Sequence, residues 1–226
     1  MARRILLVVS ALLLCALWAV AQATERASVS ILGKPCDTEP THATCSQGGG
    51  TQWDSVFWED IGSSNVSYGF VDVSTNALVY CNHHCQNRTG LQASSFFSDQ
   101  ATIQNAPESG AYFMIAVQLT GQTSSGTNAD STSLELDMNG GRVCTITVSS
   151  GYCHARLQIN SDATVDFSVN LVRLTSASLD VISGSGESIG YGDLTGKITR
   201  PAVVDAGGHN IPGVTITTAS GHQYPL

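Results

Sequence analysis

The stretch with the greatest chemical potential is Cys81-Asn82-His83-His84-Cys85, followed at once by Gln86-Asn87-Arg88-Thr89. Two sulfurs and two imidazoles within five residues are zinc-type donors, because thiolate and neutral imidazole both suit that ion. Zinc sites favour Cys and His in pairs at short spacing, with a second pair elsewhere. Here the second pair is missing: Cys144 and Cys153 are too widely spaced, and no other His pair stands near in sequence. The competing chemistry is oxidation of Cys81 and Cys85 to a disulfide that closes a small loop. That loop would leave His83 and His84 facing solvent, free to titrate near ~pH 6–7.

The N-terminus decides between the two. Arg3 and Arg4 precede an almost wholly apolar run, residues 5–20, and Ala21-Gln22-Ala23 is a small-x-small cleavage site. This is the pattern of a secretory signal peptide over residues 1–23. The run is shorter than the ~20 apolar residues a membrane span needs. No later stretch is long and apolar enough for a span, and residues 221–226 lack the hydrophobic tail of a lipid-anchor signal. The expected product is secreted and extracellular, beginning near Thr24. Cys15 leaves with the signal, and six cysteines remain. In an oxidising compartment an even count reads as disulfides. The six fall into three close couples, so nearest-neighbour pairing is expected: Cys36–Cys45, Cys81–Cys85 and Cys144–Cys153, each pinning a local turn. No metal and no cofactor is expected.

Other catalytic patterns are weak. A copper-dependent polysaccharide monooxygenase needs a histidine at the mature N-terminus, where Thr24 stands. There is no Gly-x-Ser-x-Gly elbow. Glycines 184, 186, 190 and 192 do not match the dinucleotide spacing and read as a flexible loop. Glu59 with Asp60, or Glu135 with Asp137, could serve glycoside cleavage only at defined spatial separations. As solvated acidic residues on strand edges they need no such role. The residues therefore favour a non-catalytic protein.

Charge narrows the partners. Beyond the signal, eight basic residues stand against 18 acidic ones, a net charge of −10. Nucleic acid and anionic membrane surfaces are poor partners for such a chain, since both bind through clustered Lys and Arg. The densest aromatic cluster is Trp53, Phe57 and Trp58, followed by Tyr68 and Phe70. Core packing is the favoured role for these rings. The alternative turns some of them outward as a flat platform for a sugar ring. On that alternative the candidate ligand contacts are Trp53, Trp58, Tyr68, His83 and His84. Two glycosylation sequons begin at Asn65 and Asn87, with Asn87 placed in a loop.

The elements that must position these residues are strands. Residues 29–32 suggest an edge strand and 34–50 an irregular loop. Residues 66–73 and 77–81 read as strands joined by a turn at Ser74-Thr75-Asn76. A short helix is conceivable within 91–104, although no 3.6-residue period is sustained. Residues 111–119 fit a central strand covered on both faces, and 122–131 a polar loop. From Leu134 to Leu171 apolar and polar residues alternate in four runs. They are broken by Asn139-Gly140, Ser149-Ser150-Gly151 and Asn160-Ser161-Asp162, the pattern of a four-strand antiparallel meander.

The expected fold is all-β, a disulfide-bonded antiparallel β-sandwich of jelly-roll or immunoglobulin-like topology. Residues 24–175 form the sandwich, and 176–226 form a glycine-rich, short-strand extension of the same domain. The expected function is extracellular recognition of a carbohydrate or cell-surface protein. The alternatives are a structural component of a wall, coat or matrix, and a hydrolase whose site is assembled in space from remote residues.

Overall fold

The computed structural model describes residues 23–36, 39–51, 56–82, 85–124, 130–199 and 201–224. The strands are β1 (Thr24–Ile31), β2 (Lys34–Pro35), β3 (His42–Thr51), β4 (Val56–Ser67), β5 (Phe70–Asn82), β6 (Cys85–Gln104) and β7 (Ala111–Ser124). They continue as β8 (Ser131–Met138), β9 (Gly141–Ile146), β10 (Gly151–Ile159), β11 (Ala163–Val181), β12 (Ser185–Ile198), β13 (Ala202–Val204) and β14 (Thr215–Thr218).

They form two antiparallel sheets packed face to face. Sheet A runs β2-β1-β6-β11-β8-β9 and sheet B runs β10-β7-β12-β5-β4-β3. β14 takes over beside β6 where β1 begins, and β13 continues the line of β12 beside β7. The eight strands β5 to β12 supply the orders β5-β12-β7-β10 and β6-β11-β8-β9, the arrangement of a jelly roll. β1–β2 widen sheet A, and β3–β4 widen sheet B.

Period-two alternation builds the core. In β6, Leu91, Ala93, Phe97, Ala101 and Ile103 point inward, and the same core takes in Leu134 and Leu136 of β8, Phe167 and Leu171 of β11, and Phe113, Ile115 and Leu119 of β7 in the opposite sheet. The helix entertained for residues 91–104 is absent, and β6 runs through the whole stretch. Ser95 and Asp99 hid the alternation, because they also point inward and are buried. The loop expected over 34–50 contains most of β3, whose glycines at 48–50 mask a strand pattern. The turn expected at Ser74-Thr75-Asn76 lies inside β5, and the actual reversal is at Tyr68-Gly69.

Asn139-Gly140 turns the chain from β8 to β9 with φ of 49° and 75°, as a two-residue hairpin turn requires. The rest of the expected meander does not form. β10 pairs with β7 in sheet B, and β11 pairs with β6 and β8 in sheet A. Alternation marks the dry side of a strand but not its sheet, because both sheets of a sandwich bury one face.

The three disulfides pair nearest neighbours, with Cα–Cα distances of 5.8, 6.4 and 6.5 Å. Each does more than pin a turn. Cys36 follows β2 of sheet A and Cys45 lies in β3 of sheet B. Cys81 and Cys85 join β5 to β6, and Cys144 and Cys153 join β9 to β10. All three bonds are short in sequence, yet all three cross between the sheets.

Residues 176–226, read as an extension, contribute the centre of sheet B. β12 lies between β5 and β7, and the expected boundary at 175/176 falls inside β11. Of the glycines read as a flexible loop, Gly184 lies in the turn before β12, whereas Gly186, Gly190 and Gly192 occupy inward positions of the strand. A Cβ on Gly190 would meet the Ser176 carbonyl at 2.6 Å, and one on Gly192 would meet Arg173 Nε at 2.6 Å. Glycine is required here by the close approach of the opposite sheet.

Candidate functional site

Three of the five expected ligand contacts, Trp53, His83 and His84, lie outside the described residues. The other two do not converge. Trp58 faces inward from β4, half-buried against the core, with its indole lying over Gly49. Tyr68 sits at the β4–β5 reversal, packed edge-on against Phe97 at 6.3 Å. Ten residues of extended chain, roughly 33 Å, separate the two.

The outer face of sheet B holds a different set of exposed rings. Strand register aligns its outward residues in rows across β3, β4, β5 and β12. The first row is Gly50, Phe57, Tyr80 and Glu187, and the second is Gly48, Glu59, Leu78 and Ile189. The third is Ser46, Ile61, Asn76 and Tyr191, and the fourth is Thr44, Ser63, Ser74 and Asp193. Phe57, Ile61, Tyr80, Ile189 and Tyr191 are each 39–45% exposed. Together they leave on the order of 400 Å² of apolar surface open, a patch size that on monomers often marks a binding site. The glycines of β3 add no side chain that would wall off Phe57 or Glu59.

Beside this platform, with Ile61 shared between the two, runs a shallow groove of about 440 Å³. Thr44, Ser46, Ser63, Ser74 and Asn76 line it with hydroxyl and amide groups. A hydrogen-bonded crossbar closes the far side. His42 Nδ1 contacts Asn65 Oδ1, Asn65 Nδ2 donates to Asp72 Oδ2 at 3.2 Å, and Thr195 Oγ1 donates to Asp72 Oδ1 at 3.0 Å. The sequon residue Asn65 is thus held within a four-strand ladder. Asn87 lies in β6 opposite Leu179, not in the expected loop.

The platform is supported from beneath by polar interior contacts. Arg173 donates from one NH2 to the Tyr191 carbonyl at 3.2 Å and to Asp130 Oδ2 at 3.1 Å. Burial lowers the Arg173 value, while Asp130 opposes that by favouring the charged form. Asp60 lies buried between Glu59 and Ile61. Its Oδ2 accepts the Thr89 hydroxyl, and its Oδ1 has no hydrogen-bond partner among the described residues.

Burial pushes the Asp60 carboxyl upward, with Thr89 and the Gly90 N–H pulling the other way. A carboxyl raised above its ordinary 3.8 contributes stability below that pH and loses it as pH rises through the folded value. Asp60→Asn keeps the group neutral throughout. Its melting temperature relative to the parent should climb as pH is raised from about 4 towards 7. Thermal melts across that range test this, and a difference independent of pH would remove the buried carboxyl as its source.

Of the two acidic pairs considered for hydrolysis, one is split across the two faces of its strand and the other is engaged by a cation. Glu59 faces outward and Asp60 inward. Glu135 and Asp137 both meet Arg142, at 2.5 and 3.3 Å. Sequence reasoning missed Ile61, Leu78, Tyr80, Ile189 and Tyr191. A signal was present in residues 77–81, which are apolar at every position, and in Ile189-Gly190-Tyr191-Gly192. In that segment the large residues and the glycines take opposite faces. Comparison with protein-family models and with curated proteins gives no match to this chain.

Proposed function

We propose that this protein is a secreted, extracellular recognition module that binds a glycan through the outer face of sheet B. The observation that carries the reading is the exposed platform of Phe57, Ile61, Tyr80, Ile189 and Tyr191 on a fully paired sheet face, bordered by a hydroxyl-lined groove. Sugar rings present apolar C–H faces that stack on aromatic rings and hydroxyls that exchange hydrogen bonds with Ser, Thr and Asn. Both kinds of group stand side by side here. Export is supported by the leader-like residues 1–23 and the three disulfides. Among the described residues no helix is long and apolar enough to cross a membrane.

A glycan array probed with the whole secreted chain tests the reading. Phe57→Ala and Tyr80→Ala should each weaken the best hit about tenfold, as truncation of a central aromatic anchor does at recognition surfaces. An empty array, or a hit indifferent to both substitutions, would refute it.

A second reading, a structural role in a wall, coat or matrix, rests on β3. This ten-residue edge strand has its outer backbone edge joined to no strand among the described residues. Open edges template strand addition. Concentration-dependent assembly in sedimentation would favour this reading, and a strict monomer at high concentration would count against it.

A further inference from the structure

We infer that the glycan is an amino-sugar polymer with free, protonated amino groups; this rests on the recognition reading of the same face. Glu187 stands in the row of Phe57 and Tyr80, Glu59 in the row of Leu78 and Ile189, and Asp193 closes the groove row. No Lys or Arg occupies any of the four rows, and none of the three carboxylates is in an ion pair among the described residues. The nearest cation along β12, Lys197, lies over the Phe70 ring beyond the crossbar. The platform therefore sits in a negative field that repels carboxylated or sulfated glycans and attracts amines.

The shape of the face favours a sugar chain over a basic peptide. Among the described residues, the groove that borders the platform is open along its length and is not an enclosed pocket for a side-chain anchor. Between β3 and β12 the backbone groups beneath the platform are spent on strand pairing, so a peptide could add only along the outer edge of β3 and not across the aromatic face. A chain of rings can lie on the aromatics, direct hydroxyls into the groove of Ser63, Ser74 and Asn76, and place amines near Glu59 and Glu187.

Titration calorimetry on the whole chain at mildly acidic pH, where amines and carboxylates are both charged, should use four probes. These are glucosamine hexamer, N-acetylglucosamine hexamer, cellohexaose and an oligolysine of matching charge. Glucosamine hexamer should bind at least about tenfold tighter than the other three. That advantage should fall with added salt and vanish in the Glu59→Gln/Glu187→Gln double variant. Both substitutions lie on the outer face, and an unchanged melting temperature would confirm that the fold is intact. Equal or tighter binding of either neutral hexamer, or an advantage that survives in the double variant, would overturn the amine preference. The platform reading would stand in those cases, provided Phe57→Ala still weakens binding. Oligolysine binding as tight as the glucosamine hexamer would reduce the face to a charge patch and overturn the inference. Failure of every probe, joined to an empty glycan array, would overturn both.

Discussion

Replacing Arg173 with methionine should cost on the order of 3–5 kcal/mol of unfolding free energy, the range seen when one partner of a buried ion pair is removed. The Arg173 and Asp130 side chains are 4% and 5% exposed. The guanidinium donates to Thr175 Oγ1, Thr132 Oγ1 and the carbonyls of Ser124 and Tyr191 as well as to Asp130. Methionine fills much of the volume but satisfies none of these acceptors, and it leaves the Asp130 carboxylate buried without its cation. The second substitution, Asp130→Leu, should then recover part of the loss. A coupling of about 1–3 kcal/mol is expected for groups in one network. It should not recover everything, because Asp130 Oδ1 also accepts the Ser176 N–H at 2.7 Å. Urea unfolding of the two single variants and the double variant measures the coupling. Additive losses would mean that the pair acts as two independent groups. Because Arg173 also bonds the Tyr191 carbonyl, Arg173→Met should loosen β12 beneath the platform. Hydrogen exchange along that strand would report it.

Tyr224→Ala should cost about 3 kcal/mol, the lower end for removing a buried aromatic side chain. Tyr224 packs edge-on against Phe167 at 5.7 Å and against the His222 ring at 4.7 Å. Its hydroxyl donates to Asp99 Oδ2 at 2.7 Å. Asp99 also accepts from the Ser220 hydroxyl and, at 3.1 Å, from the Ser220 N–H, so the segment after β14 is tied to β6 through one buried carboxylate. Tyr224→Phe retains the ring and loses the donor, which should cost about 1.5 kcal/mol or somewhat more for a bond to a charged acceptor. Burial first, then Asp99, holds the phenol protonated well above its ordinary 10. Its stabilising contribution is therefore complete below that pH and is lost only on strong alkalisation. Exchange at the Ala219 amide, which bonds the Gln100 carbonyl, should quicken in Tyr224→Ala. An unchanged rate with a loss below about 1 kcal/mol would show that Tyr224 is not the anchor.

The face of sheet B illustrates how residue type and position separate. Phe57 belongs to an aromatic cluster that sequence alone could assign to core or platform. Adjacent residues of a strand point to opposite faces, so Trp58 packs inward while Phe57 faces out. Tyr80, Ile189 and Tyr191 lie 23 to 134 positions from Phe57 in the chain and reach it only through register. Nothing in their local sequence announces a shared surface.

Several properties were legible in the chain itself. Alternation of apolar residues specified strands and their dry sides. Asn139-Gly140 specified a hairpin turn, because few other pairs adopt positive φ twice in succession. The spacing of six cysteines specified three local disulfides. These are consequences of covalent geometry and side-chain type over a few residues. The tertiary structure alone decided which sheet each strand joined, and hence the jelly roll in place of a meander. It also decided that the disulfides cross between sheets, and that Ser95, Asp99, Asp60 and Arg173 could be interior. A buried polar residue is permitted only by partners that long-range packing brings to it. The glycines of β12 are the clearest case. By composition they mark a flexible loop. In the fold, Gly190 and Gly192 are inward positions at which β11 of the opposite sheet comes too close for a side chain.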